Sequence, residues 1–70
     1  SLEQAKALIA AVESLPTEQR EAFLLQAEGD MSVEDIAITM NVSFETAKSR
    51  LRYARSKLKT LLAEFAEVGQ

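Results

Sequence analysis

The 70-residue chain contains no cysteine and no histidine, and these two absences close off most site chemistry at once. Without cysteine there is no disulfide, no thiolate nucleophile and no sulfur ligand for zinc. Without histidine the commonest general base is missing as well. The serines at 32, 43, 49 and 56 therefore have no such base to activate a nucleophile. Neither an enzyme nor a cofactor is expected. Long apolar runs are absent too, so nothing reads as a membrane span and no signal peptide is visible. A fold without bridges must rest on helix packing, which suits a reducing compartment.

Seventy residues make one small domain, and a chain of this size buries only about 60% of its unfolded surface. Its 47% apolar content is that of a globular fold rather than a disordered chain. Serine at position 1, with no methionine, suggests a fragment of a longer protein, with residues 1–70 as a single domain of it. Net charge is −3, but it is unevenly spread. Residues 1–47 hold only Lys6 and Arg20 against nine acids, whereas residues 48–59 hold six cations and no acid. When a polyanion docks on one face, the local field decides, not the total.

Ser1 caps a first helix, with Gln4 completing a capping box. Leu2, Ala5, Leu8, Ile9 and Val12 follow a helical period. Leu15-Pro16 ends that segment and starts a second helix over about Pro16 to Glu28, burying Phe23, Leu24 and Ala27. Gly29-Asp30 stops it. Ser32 caps a short third helix whose buried stripe is Val33, Ile36, Ala37 and Met40. The nearby acids Asp30, Glu34 and Asp35 lack the spacing of a calcium loop and read as helix stop and cap. Asn41 breaks the third helix, because asparagine tolerates the left-handed conformation such a turn needs. Val42 plugs the corner, and Ser43 caps a fourth helix with Thr46 nearby.

In the last helix Phe44, Ala47, Leu51, Ala54, Leu58, Leu61, Leu62 and Phe65 recur at spacings of three and four. At about 1.5 Å per residue such a helix extends roughly 33 Å, more than a small core covers. Its distal half must pack on helix one or on another molecule. Opposite the Leu51–Leu58 stripe project Glu45, Ser49, Arg52, Tyr53 and Ser56. Lys48, Arg55 and Lys59 lie on one flank, Arg50 and Lys57 on the other. A helix in a major groove needs this layout, with short or polar side chains toward base edges and cations toward the phosphate walls. The small Ala37 and Ala47 let two helices cross closely. Taken alone, a basic run is an ordinary solvated face, with Glu64 available to Lys57 and Lys59 and Glu45 to Lys48. Phe23, Phe44 and Phe65 read as core. The expected fold class is all-α: a four-helix domain containing a helix-turn-helix with a long C-terminal recognition helix.

Leu15-Pro16, Gln19-Arg20-Glu21-Ala22-Phe23, Ser32-x-x-Asp35-Ile36-Ala37 and Thr46-Ala47-Lys48-Ser49-Arg50-Leu51-x-x-Ala54-Arg55 resemble region 4 of bacterial RNA polymerase sigma factors. The extracytoplasmic-function type is the most similar. The likeness covers about residues 12–60 and is most specific over 43–55. It implies a cytoplasmic bacterial protein that binds the −35 promoter element and docks on the flap of the polymerase beta subunit. It also implies possible occlusion by an anti-sigma factor and no insertion into a membrane. Carried over by position, Lys48, Ser49 and Arg52 would read bases. Ser43, Thr46, Arg50, Tyr53 and Arg55 would hold phosphates or support the readers. The hydrophobic face of helices one and two and the distal part of helix four would meet the flap.

Three positions depart from that family's pattern. Ala47 replaces a larger valine, Asn41 stands where glycine is frequent, and Glu45 would repel phosphate unless it accepts from a cytosine amino group. The sigma region that melts the −10 element is absent from these residues, and an isolated domain of this kind would bind DNA weakly. The Ser32-x-x-x-Ile36-Ala37 and Thr46-x-Lys48 patterns are shared with output domains of response regulators and quorum-sensing activators. Ser49-Arg50-Leu51 with Ala54-Arg55 favours sigma. A sigma-like module that binds polymerase or an anti-sigma factor without DNA is the remaining alternative.

Overall fold

Four helices follow one another in the computed structural model: α1 (Leu2–Glu13), α2 (Thr17–Ala27), α3 (Val33–Met40) and α4 (Phe44–Gly69). The structure describes residues 1–69, with side chains through Ala66, and among them there is no strand. The all-α class expected from the sequence is the one observed. A 26-residue helix is about 39 Å long. α4 therefore sets the 41 Å long axis of a molecule only 18 × 16 Å across.

Explicit chemical stops divide the chain. The Ser1 hydroxyl accepts from the Gln4 N–H at 3.2 Å, while the terminal ammonium donates to the Gln4 side chain at 2.9 Å, closing the capping box. Pro16, with φ −54° and ψ 147°, stands just before α2 rather than inside it, and its carbonyl accepts from the Arg20 N–H at 2.9 Å. The Arg20 guanidinium reaches back 3.1 Å to the Glu13 carbonyl, so a cation satisfies the C-terminal end of α1. After α2 the left-handed residue is Asp30 (φ 52°), not Gly29. Glycine stands at 29 for space, since a Cβ there would come 2.6 Å from the Leu25 carbonyl oxygen.

Packing falls into two clusters along α4. Ala22, Ile36, Ala37, Ala47 and Leu51 join α2 and α3 to its proximal half. Ala11, Leu15, Ala54 and Leu58 join the end of α1 to its middle, with Val12, Phe23 and Leu61 alongside. Among the described residues five of the nine buried core residues are alanines, so the helices approach closely and few large side chains are fully buried.

Two expectations about the core are corrected, on α2 and at Phe44. On α2 the buried residue is Ala22, with no exposed surface, whereas Ala27 is exposed and Phe23 and Leu24 are half-buried. On α1 the apolar stripe is mostly uncovered: Leu2, Leu8 and Ile9 are 68%, 44% and 59% exposed. α1 packs chiefly against α4, and the buried contacts come from its C-terminal end, so among the described residues the rest of the stripe stays largely exposed. Phe44, expected in the core, is 45% exposed at the start of α4.

The left-handed Asn41 (φ 56°, ψ 49°) makes a direct stability prediction. A β-branched side chain is a steric outlier in that region, so Asn41→Val should cost about 1–2 kcal/mol and Asn41→Gly little or nothing. Thermal unfolding reads this as a fall of about 4–8 °C per kcal/mol. A valine variant that melts with the parent would mean the turn is not held left-handed.

Candidate nucleic-acid interface

Three residues, Asn41-Val42-Ser43, connect α3 to α4. The Asn41 N–H donates to the Ile38 carbonyl at 3.1 Å and the Val42 N–H to the Ala37 carbonyl at 3.0 Å. This paired bonding around a left-handed residue is the Schellman closure. Val42 packs on the proximal core cluster that also holds Ala37, which anchors the corner from inside. Ser43 then caps α4: its hydroxyl oxygen accepts from the Thr46 N–H at 3.0 Å and its proton goes to the Thr46 Oγ1 at 2.9 Å. The Ser43 proton is thereby used, while the Thr46 hydroxyl keeps its own proton to donate. Ala47, fully buried, and Ala37, 6% exposed, bring the two helices together at fixed orientation.

Beyond the turn, α4 presents its cations outward. Lys48, Arg52, Arg55, Lys57 and Lys59 are exposed, and Ser49 and Arg50 are half-buried. Among the described residues the one ion pair is Lys6–Glu3 in α1 at 3.9 Å, so none of the six cations between 48 and 59 is paired with an acid there. The pairings of Lys48 with Glu45 and of Lys57 or Lys59 with Glu64 are not formed. The positive field of this segment is available to a partner.

Three neighbours organise the face further. The Arg52 guanidinium carbon lies 5.2 Å from the centroid of the Tyr53 ring, a cation–π contact worth about 0.5–1 kcal/mol at an exposed site. Arg55 donates to the Gln26 side chain of α2, which ties one of its five N–H donors and leaves the rest free. Tyr53, 55% exposed, lines a shallow groove with Ser14, Pro16, Gln19 and Lys57 at the α1–α2 junction. Arg50 turns to the other side. Its Nη1 is 3.9 Å from the Met40 Sδ, and it borders a groove of about 850 Å³ with Glu18, Glu21 and Glu28 on its rim. The eight candidate contacts therefore divide. Ser43 and Thr46 build the helix start, Lys48, Arg52 and Arg55 form an outward arc, Ser49 sits low between them, and Tyr53 and Arg50 flank α2.

Gln26 has no signal of its own in the sequence. It becomes legible only once Ala22 is known to face α4, because Gln26 lies one turn further along the same side of α2.

A short helix, a tight turn closed by asparagine, and a second helix carrying an unpaired basic arc define a helix-turn-helix of the DNA-binding kind. Residues 5–58 match the family described as Sigma-70, region 4, and the chain belongs to that family. It is 45% identical over 53 residues to the ECF RNA polymerase sigma factor EcfG of Rhodopseudomonas palustris (strain TIE-1). That alignment covers 76% of this chain but only 29% of the relative, so the chain spans under a third of that protein's length. No solved structure matches the chain. The family match resolves the choice left open between sigma and response-regulator output domains in favour of sigma. No helix among the described residues is long and apolar enough to cross a membrane.

Proposed function

We propose that this chain is the promoter −35 reader of an extracytoplasmic-function sigma factor, acting by DNA binding and not by catalysis. The observation that carries the reading is the unpaired basic arc of α4 behind a turn fixed by Asn41 and Ser43. α4 lies in the major groove and α3 across the backbone. Lys48, Ser49 and Arg52 face base edges. Arg55, the Thr46 hydroxyl and Arg50 reach phosphates, with Ser43 holding the helix start and Tyr53 supporting Arg52. Polymerase core, through the beta flap, docks on the uncovered Leu2, Leu8 and Ile9 of α1 and on the adjoining groove of Leu62 and Phe65. An anti-sigma factor would compete for the same apolar surface. Residues 1–70 act as one region 4 domain of a longer cytoplasmic protein.

The test separates base reading from phosphate holding. Fluorescence titrations compare a −35-like duplex with scrambled duplexes, using the chain alone at low salt and the chain supplied to core polymerase. Arg52→Ala should relax preference at one or two positions, about 1–3 kcal/mol at each. Arg55→Ala should weaken all sequences alike. Identical behaviour of the two variants would overturn the division of roles. Absence of any sequence preference in both settings would remove the base-reading claim.

A further inference from the structure

The first turn of α4 carries a large apolar side chain that the fold covers only in part. Phe44 opens the helix, immediately after the capping Ser43, and 45% of its surface is exposed. Its position is not loosely held, because the Ser43–Thr46 hydrogen bonds fix the turn from which it projects. Along the helix, positions 44, 48, 55 and 59 fall on one ridge, so Phe44 stands one turn ahead of Lys48 at the head of the basic arc. Arg55 on that ridge is suited to phosphates, but a phenyl ring has no favourable contact with a phosphate. A recognition helix enters the major groove N-terminus first, which carries its first turn closest to the bases. The apolar feature that a base edge offers there is the C5-methyl group of thymine.

We propose that Phe44 is a specificity-determining residue that packs on a thymine methyl within the −35 duplex. The inference rests on the base-reading function proposed above and adds to it one position read by apolar contact instead of hydrogen bonding. It also gives the exposure of Phe44 a physical reason, since a ring buried against α3 could not reach a base.

Deoxyuridine makes the test sharp, because it differs from thymidine by the methyl group alone and keeps every hydrogen-bonding atom. Duplexes selected by the 70-residue chain at low salt are remade with each thymine replaced in turn by uracil, and affinities are read by fluorescence anisotropy. One replacement should weaken binding by about fourfold, the worth of burying one methyl-sized group. Phe44→Ala should lose sensitivity at that position alone, and Phe44→Leu should keep most of it. Circular dichroism confirms that the variants fold, and the uracil series on the parent chain needs no variant. Selected duplexes with no methyl-sensitive thymine, or sensitivity that survives Phe44→Ala, would overturn the assignment while leaving base reading intact. Failure to select any sequence, by the chain alone and by the chain supplied to core polymerase, would instead overturn base reading, and the role of Phe44 with it.

Discussion

Leu51→Ala should cost about 2–5 kcal/mol, the range for removing a buried leucine side chain from a core that relaxes only partly. Leu51 is 1% exposed and sits where α2 and α3 both meet α4. Its fully buried neighbours in that cluster are three alanines and Ile36, and Leu25, Met31, Val33, Met40 and Val42 pack around them only partly buried. At roughly 0.05–0.15 kcal/mol per residue, a chain this small has a total stability of only about 3.5–10 kcal/mol. The substitution therefore removes a large part of what holds the fold together. Urea unfolding should show a lowered midpoint or, at the upper end of the range, a chain unfolded before urea is added. Ile38→Ala serves as the control. Ile38 is 76% exposed, and its loss should change stability by no more than about 0.5 kcal/mol. Similar midpoints for the two variants would show that the alanine-rich junction is not where stability resides.

The same junction explains which parts of the fold were legible in the sequence. Helix ends announce themselves through explicit chemistry: Ser1 with Gln4, Pro16, Ser32, Asn41 and Ser43 each satisfy or withhold a backbone group. The four helices follow from those stops. Periodicity, by contrast, tells which residues share a face but not how far the neighbouring helix reaches. Leu2, Leu8 and Ile9 share a face correctly, yet α1 is buried only at its end. Phe44 lies at the edge of the core stripe, between Leu51 and the Lys48–Arg55 ridge, and at the helix terminus it stays 45% exposed. A hydrophobic pattern gives weight to size and points to Phe23 and Leu24, whereas close helix crossing selects for smallness and buries Ala22. The basic arc itself was legible, since charge and phase are sequence properties. Its freedom from acidic partners among the described residues, and the Gln26 contact to Arg55, depend on where α2 lies and needed the structure.

Salt should act on DNA binding more strongly than any single substitution. If four to six cations of α4 neutralise phosphates, log affinity falls with log salt at a slope of about −4 to −5, and going from 50 to 200 mM costs roughly 10²–10³-fold. The acidic body does not cancel this. At 0.1 M salt a charge is screened beyond about 10 Å, so the acids of α1 and of the loop before α3 act mainly on long-range approach. The acids that matter are those beside the arc. Glu18, Glu21 and Glu28 border the same groove as Arg50, and Glu45 shares the first turn of α4 with Phe44. Arg50 should therefore contribute less to the slope than Arg55, which lies outside that acidic groove. Arg55→Ala should reduce the slope by about one unit, and Lys6→Ala, in a helix remote from the turn, by none. Glu45→Gln should raise affinity for all duplexes unless Glu45 itself accepts from a cytosine, in which case it lowers affinity for one sequence only. A slope near zero with polymerase binding intact would mark the chain as a docking module that has the shape of a promoter reader without its chemistry.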